Sequence, residues 1–224
     1  MSLLRSTAIA LCVAGQLEAD AFTCAGSVFE VSGSDAATRA RACNAAAEAH
    51  AQLASCGVVI DWPVKIFIVE RIENQPPTCL GLYHCGNERI EILSPTAMSA
   101  VRSEQGVFAL VSDTSFWNSI LAHELTHAAF DKVDCPISSC IATAEYAAFA
   151  MQVYTLPKDQ QALFGVNFSL MGDPSWEAIS PIFLFLSPDH FAMNAWLHFQ
   201  NRDAPCDFMQ LIMDGEIFFD REPH

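Results

Sequence analysis

The residues best suited to chemistry are His123, Glu124 and His127, in a segment from Phe116 to Phe130 that has no glycine or proline and predicts a helix. Residues four apart share one face of a helix, so both imidazoles can point at one ion. Two neutral imidazoles at this spacing suit zinc. Glu124 lies one position round the helix, where it can take a proton from a zinc-bound water. The alternative is a buried helix whose histidines are only hydrogen-bonded polar groups.

A catalytic zinc usually has three protein ligands, so a third is expected downstream. The carboxylates and thiols that follow the motif are Asp131, Asp134, Cys135, Cys140 and Glu145. An aspartate ligand just downstream of the motif, at Asp131 or Asp134, is one option. The other is Glu145, whose apolar neighbours argue against a merely solvated carboxylate.

The motif His-Glu-Leu-Thr-His, followed by Thr-Ala-Glu-Tyr-Ala-Ala-Phe-Ala at 143–150, resembles the gluzincin class of zinc metallopeptidases. The resemblance covers only the stretch from Phe116 to about Tyr154. In that class the third ligand is a glutamate on a second helix, and Glu145 lies eighteen residues after His127, at the short end of the usual spacing. The resemblance implies a zinc cofactor held by the motif histidines and Glu145, with Glu124 as the general base.

Some positions depart from the patterns of known relatives. Gluzincins with asparagine before the ligand glutamate and aspartate four residues after it do not match, because Ala144 and Phe149 stand there. A carboxylate at that spacing therefore does not orient the metal ligands. The rival metzincin pattern needs a glycine and then a third histidine soon after the motif. Phe130 and Val133 occupy that stretch and argue against it.

The first residues, Met1 to Ala21, predict a secretory signal peptide. Arg5 supplies the positive end, residues 7–15 are a short apolar stretch, and residues 19–21 form a small-x-small cleavage site. Phe22 is the predicted mature start, and residues 22–224 are predicted to form a single zincin-like domain. The predicted location is secreted or periplasmic.

The composition narrows the function classes. The 224 residues are 52% hydrophobic, which is enough for a sizeable core. The net charge of −15 disfavours nucleic acid and anionic membranes as partners. No apolar run is long enough to span a bilayer. The expected partner is a peptide or protein substrate, and the oligomeric state is not indicated.

The cysteine count predicts disulfides. Of nine cysteines, Cys12 leaves with the signal peptide, and the remaining eight suggest four disulfides in an exported chain. The close pairs Cys79/Cys85 and Cys135/Cys140 are favoured. A zinc-thiolate site is the alternative, although no two cysteines have the Cys-x-x-Cys spacing.

The element order predicts an α+β, zincin-like fold. A small mixed sheet and the motif helix (22–131) precede a mostly helical half (132–224). Strands are predicted at Phe22–Val31, Val64–Glu70, Leu80–His84, Glu88–Leu93 and Val107–Val111. Further helices are predicted at Ala36–Ala54, from Pro95, and at Ile141–Thr155, Lys158–Phe164, Pro174–Leu186, Pro188–Gln200 and Pro205–Met213. The acidic tail, Asp214–His224, is predicted to be a solvated end.

Two further predictions concern substrate. An edge strand from the hairpin between Leu80 and Leu93 is expected to bind extended peptide by strand addition. A tyrosine or histidine across the cleft would stabilise the oxyanion. The candidates for that role, each also compatible with a structural role, are Tyr83, Tyr146, Tyr154, His190 and His198.

The sequence thus predicts an exported zinc-dependent hydrolase, most simply a metallopeptidase that uses a zinc-bound water and a glutamate base. One alternative is a catalytically weak zincin-fold protein that binds a peptide or protein partner. Another is a disulfide-stapled structural protein with an incidental motif, which predicts no metal at all.

Overall fold

Five strands form one mixed sheet in the computed structural model, which describes residues 21–168 and 175–220. The strands are β1 (Phe22–Thr23), β2 (Phe29–Ser32), β3 (Val64–Val69), β4 (Gly81–His84) and β5 (Arg89–Leu93). Their order is β1–β2–β3–β5–β4. The two inner pairs, β2–β3 and β3–β5, are parallel, and the outer pairs are antiparallel. β4 is therefore an edge strand.

The helices lie mostly after the sheet. They are α1 (Ala36–Ala54), α2 (Pro95–Val101), α3 (Asp113–Phe130), α4 (Ile141–Tyr154), α5 (Lys158–Gln161), a 3-10 helix (Glu177–Ile179), α6 (Pro181–Leu186), α7 (Pro188–Gln200) and α8 (Pro205–Met213). The mixed α+β class is confirmed. Among the helices that the structure describes, no helix has both the length and the apolar character of a membrane span.

Local chemistry explains the well-predicted elements. Asp35 caps α1 by accepting a hydrogen bond from the Thr38 backbone N–H at 2.9 Å. Gly57, with a φ of +82°, allows the turn that follows this helix. In the central strand β3, Val64 and Ile66 are buried and Lys65 is exposed between them, as alternation across a strand requires.

The motif helix α3 is buried on nearly all sides. Leu121 and Leu125 are fully buried within it. It packs against α1, α4 and the β4–β5 hairpin. The Trp117 indole donates a 2.8 Å hydrogen bond to the Leu93 carbonyl, which fixes α3 to the end of β5.

The predicted strand at Val107–Val111 is wrong, because the segment forms turns. The Arg102 guanidinium donates hydrogen bonds to the carbonyls of Phe108 and Val111. A side chain thus satisfies backbone groups that a strand ladder would otherwise use.

The predicted helix at Pro174–Leu186 is also wrong as one element. Proline disfavours a helical conformation in the residue before it, and Ser180, before Pro181, is extended with ψ 161°. Ser180 therefore separates the 3-10 helix from α6. Pro174 lies outside the described residues, as do residues 1–20 of the predicted signal peptide.

The disulfide pattern differs from the prediction. The bonds in the described residues are Cys24–Cys43, Cys56–Cys206 and Cys135–Cys140, so only the last favoured pair is confirmed. Cys79 and Cys85 are free. They flank the two ends of β4, and an extended strand holds them too far apart to bond.

The predicted solvated tail is wrong for its last described residues, Phe219 and Asp220, and residues 221–224 lie outside the described residues. Phe219 is 1% exposed and packs against the Tyr146 ring. The Asp220 carboxylate accepts hydrogen bonds from the backbone N–H groups of Ala142 and Thr143 at 2.8 and 3.0 Å. The carboxyl-terminal segment therefore caps α4.

Candidate metal site

Helix α3 brings the two motif histidines together. The Nε2 atoms of His123 and His127 lie 3.1 Å apart, as expected for residues one helical turn apart. His123 is buried and His127 is partly buried. Two imidazole nitrogens this close, aimed at the same point, form one side of a candidate ion site.

Helix α4 supplies the third group. One Glu145 carboxylate oxygen lies 3.5 Å from His123 Nε2, and the other lies 3.5 Å from His127 Nε2. One ligand atom from each of these three residues falls within 4.8 Å of the others. Within residues 21–168 and 175–220, this is the group of His, Cys, Asp or Glu side chains placed to hold a metal ion. The group matches the three predicted ligands.

The separations fit a zinc ion. In tetrahedral zinc sites with bonds of about 2.0–2.1 Å, neighbouring ligand atoms lie about 3.3 Å apart. The nitrogen–nitrogen separation of 3.1 Å lies close to this value. Each nitrogen also lies 3.5 Å from a Glu145 oxygen, but from a different one, and one atom from each of the three residues falls within 4.8 Å of the others. Two nitrogens and a carboxylate oxygen are also ligands that zinc accepts in catalytic sites. The residues present therefore fit a zinc ion.

Gln152 orients His123 and is a site residue that was not predicted from the sequence. His123 Nδ1 lies 3.0 Å from Gln152 Oε1. The Gln152 amide nitrogen donates to Ser119 Oγ at 3.3 Å, and Ser119 donates its own proton to the Phe116 carbonyl. This series of hydrogen bonds makes Gln152 Oε1 an acceptor. His123 Nδ1 therefore carries the proton, and His123 Nε2 presents its lone pair to the site.

A sequence signal for Gln152 did exist. It lies seven residues after Glu145, which is two helical turns and the same face of α4. It is also the one amide side chain in an otherwise apolar stretch, and it is 1% exposed. A search for a carboxylate four residues after Glu145 does not find it.

The edge strand β4 holds the predicted base. The Tyr83 backbone N–H donates to Glu124 Oε2 at 2.8 Å. A Cβ atom at Gly81 would lie 2.6 Å from Glu124 Oε1, so glycine is what lets β4 approach this closely. Glu124 therefore lies between the histidine pair and the outermost strand of the sheet.

Burial and charge set the proton affinities in the site. Burial raises the pKa of Glu124, and the nearby imidazoles offset this only in part. Burial alone would also raise the pKa of Glu145, but His127 and His123 hold it well below its usual range. Burial opposes protonation of His127, yet the Glu145 carboxylate raises its pKa. A carboxyl group with a raised pKa suits a general base near neutral pH.

The alternative ligands are placed elsewhere. The Asp131 carboxylate accepts hydrogen bonds from the Tyr83 hydroxyl and the Gly86 backbone N–H, both at 2.9 Å. Asp131 therefore fixes the β4–β5 hairpin to the end of α3. Asp134 is exposed and lies outside the metal-capable group.

The oxyanion candidates are mostly remote. The Tyr146 hydroxyl pairs with His198 Nδ1 at 2.8 Å, and His190 pairs with Ser187. Tyr154 lines a separate cavity of about 380 Å³ that contains none of the motif residues. Of the five candidates, Tyr83 lines a cavity that contains His123 and Glu124, as far as the described part of the chain shows.

Two cavities flank the metal-capable group. The Phe149 cavity, about 320 Å³, and the Tyr83 cavity, about 590 Å³, share Gly81, His123 and Glu124 in their walls. His127 and Glu145 line the Tyr83 cavity. The motif residues thus lie in a cleft that extends to both sides of them.

Fold and site together define an α+β protein with a histidine–histidine–glutamate group that could hold a metal ion. The chain belongs to the family described as "Family of unknown function (DUF6639)", whose sequence profile matches residues 29–222. That span includes α3, α4 and the whole site. No curated protein and no solved structure matches the chain.

Proposed function

We propose that this protein is an exported zinc-dependent hydrolase, and specifically a metallopeptidase. One observation carries the proposal: His123, His127 and Glu145 converge at zinc-like separations with Glu124 beside them. When bound, zinc lowers the pKa of water and polarises a carbonyl group. The resemblance to gluzincins assigns the same four residues to the same roles.

The chain's own residues then have distinct tasks. His123 and His127 offer Nε2 lone pairs, and Gln152 keeps the His123 ring in the required tautomer. Glu124 accepts a proton from the attacking water and passes it to the leaving amine. The Tyr83 backbone N–H holds the Glu124 carboxylate against β4.

The position of β4 supports a peptide as the substrate. An extended peptide can add to an exposed sheet edge through main-chain hydrogen bonds. β4 is the edge strand, and it contacts Glu124 directly. The three disulfides, together with the predicted signal peptide, support export.

The test is Glu124→Gln, which keeps the size of the side chain but cannot accept the proton. We expect this variant to hold zinc as the wild type does and to hydrolyse a peptide library about a hundred-fold more slowly, or slower still. Zinc content and cleavage products by mass spectrometry are the two measurements. Undiminished hydrolysis in the variant would remove Glu124 from the role of base.

A further inference from the structure

The Phe149 cavity is an apolar recess that opens beside the candidate base. His123 and Glu124 form part of its wall. The Phe149 ring packs edge-on against the His123 ring, with centroids 4.8 Å apart. A group bound in this cavity would therefore lie next to the reacting atoms of a substrate held at the metal-capable group.

The wall of the cavity is mainly apolar. Its hydrophobic side chains include Leu80, Val107, Phe108, Phe116, Ile120 and Phe149. Such a surface gains free energy when an apolar group displaces water from it. The volume of about 320 Å³ is large enough for a bulky side chain.

The charged groups of the wall are bound to the chain itself. Arg102 pairs with Asp113 at 2.8 Å, and its guanidinium stacks 4.2 Å from the Phe116 ring centroid. Asp189 accepts a hydrogen bond from the Val107 backbone N–H at 3.4 Å. The Arg102 charge is therefore balanced within the chain. The Asp189 and Glu124 carboxylates remain in the wall and disfavour an acidic side chain, so an apolar side chain is the better fit.

We propose that the Phe149 cavity is a specificity pocket for a bulky apolar side chain on a residue next to the scissile peptide bond. This inference rests on the proposed peptidase function for its biological meaning. The cavity itself predicts a preference for apolar side chains that can be measured without hydrolysis.

Gly106 provides a way to fill the cavity. It lines the wall, and its φ lies outside the left-handed region that favours glycine. A Cβ there would meet Ser103 Cβ at 3.4 Å and Asp189 Oδ1 at 3.6 Å, which the surroundings can accommodate. Gly106→Leu would therefore occupy the cavity, and Gly106→Ala would occupy less of it. Ser139→Leu places the same side chain in the Tyr83 cavity and is the matched control.

The first readout is the affinity of the protein for N-acetyl-phenylalaninamide and for N-acetyl-alaninamide. NMR monitors the binding, first with zinc present and again after the zinc has been removed by a chelator. We expect the wild type to prefer the phenylalanine amide by about 10- to 100-fold, because burying the ring removes a large apolar surface from water. Gly106→Leu should lower that preference by about five-fold or more. Gly106→Ala should lower it less, and Ser139→Leu should keep it.

The second readout is cleavage of peptides that carry phenylalanine or alanine beside the scissile bond. If the wild type prefers the phenylalanine amide but cleaves neither peptide, the peptidase function is contradicted and the proposed pocket stands. Cleavage without any preference would contradict the pocket and leave the peptidase function intact. Equal binding of both amides by the wild type, or an unchanged preference in both Gly106 variants, would overturn the inference.

Discussion

Gln152 offers a sharp test of the zinc site, because it acts on the metal only through His123. Zinc binding through Nε2 requires the proton on Nδ1, and Gln152 Oε1 accepts that proton at 3.0 Å. In Gln152→Leu the buried N–H loses its acceptor whenever zinc is bound. Without zinc, the ring can change tautomer and avoid most of the penalty.

The loss of zinc affinity in Gln152→Leu follows from the difference in this penalty between the zinc-bound and the metal-free protein. A buried donor left without a partner costs about 1–3 kcal/mol. If that cost falls on the zinc-bound state, affinity drops by about 5- to 150-fold. Losses of a hydrogen-bond partner to a ligand histidine fall in a similar range, about 10- to 100-fold. Gln152→Glu keeps an acceptor at the same position and should bind zinc at least as tightly as the wild type.

The assay is competition for zinc against a chromophoric chelator, with the melting temperature of the metal-free protein as a check on folding. Gln52→Leu is the control, because Gln52 is an exposed glutamine on the surface of α1. Wild-type zinc affinity in a folded Gln152→Leu variant would refute the reasoning.

Three other predictions concern the frame around the site. Asp220→Ala uncaps α4 and should lower the free energy of unfolding in urea by about 1–2 kcal/mol, whereas the exposed Asp214→Ala should change it little. Alkylation of the unfolded, unreduced protein should label Cys79 and Cys85 alone, and labelling of neither would indicate a fourth disulfide. Burial lowers the pKa of His127, but the Glu145 carboxylate raises it above its ordinary value. The ion pair between His127 and Glu145 therefore stabilises the metal-free protein most below about pH 6.5. Melting temperature should fall as pH rises above that value, and Glu145→Gln should flatten this part of the profile.

The fold was predictable from sequence where local chemistry decides it. The bounds of α1 match the prediction, because an alanine-rich run begins after the Asp35 cap and ends before Gly57. The β4–β5 hairpin and the proline-led helices α7 and α8 were also predicted. Each has a start or stop signal within a few residues.

The fold was not predictable where a specific side-chain contact decides it. Arg102 lies only six residues before Phe108 and nine before Val111, but its residue type does not reveal that it binds their carbonyls. The acidic tail looks solvated until Asp220 is seen to cap α4, 78 residues away from Ala142 in the chain. Disulfide pairing depends in the same way on which cysteines the fold brings together.

The candidate site divides in the same manner. His123 and His127 follow from helical spacing, and Glu145 was the residue that the gluzincin resemblance implied. The contact of Glu124 with β4 depends on tertiary packing that the sequence does not encode locally. Gln152 is an intermediate case. The sequence shows that it lies two helical turns after Glu145, but it does not show that its partner is His123.

The most direct measurement is the zinc content of the exported, disulfide-bonded protein after dialysis, for the wild type and Glu145→Ala side by side. The account predicts one zinc ion per wild-type chain and much less in the variant at equal folding. No zinc in either protein would contradict the metallopeptidase proposal. Equal zinc in both would move the third ligand away from Glu145 and end the comparison with gluzincins.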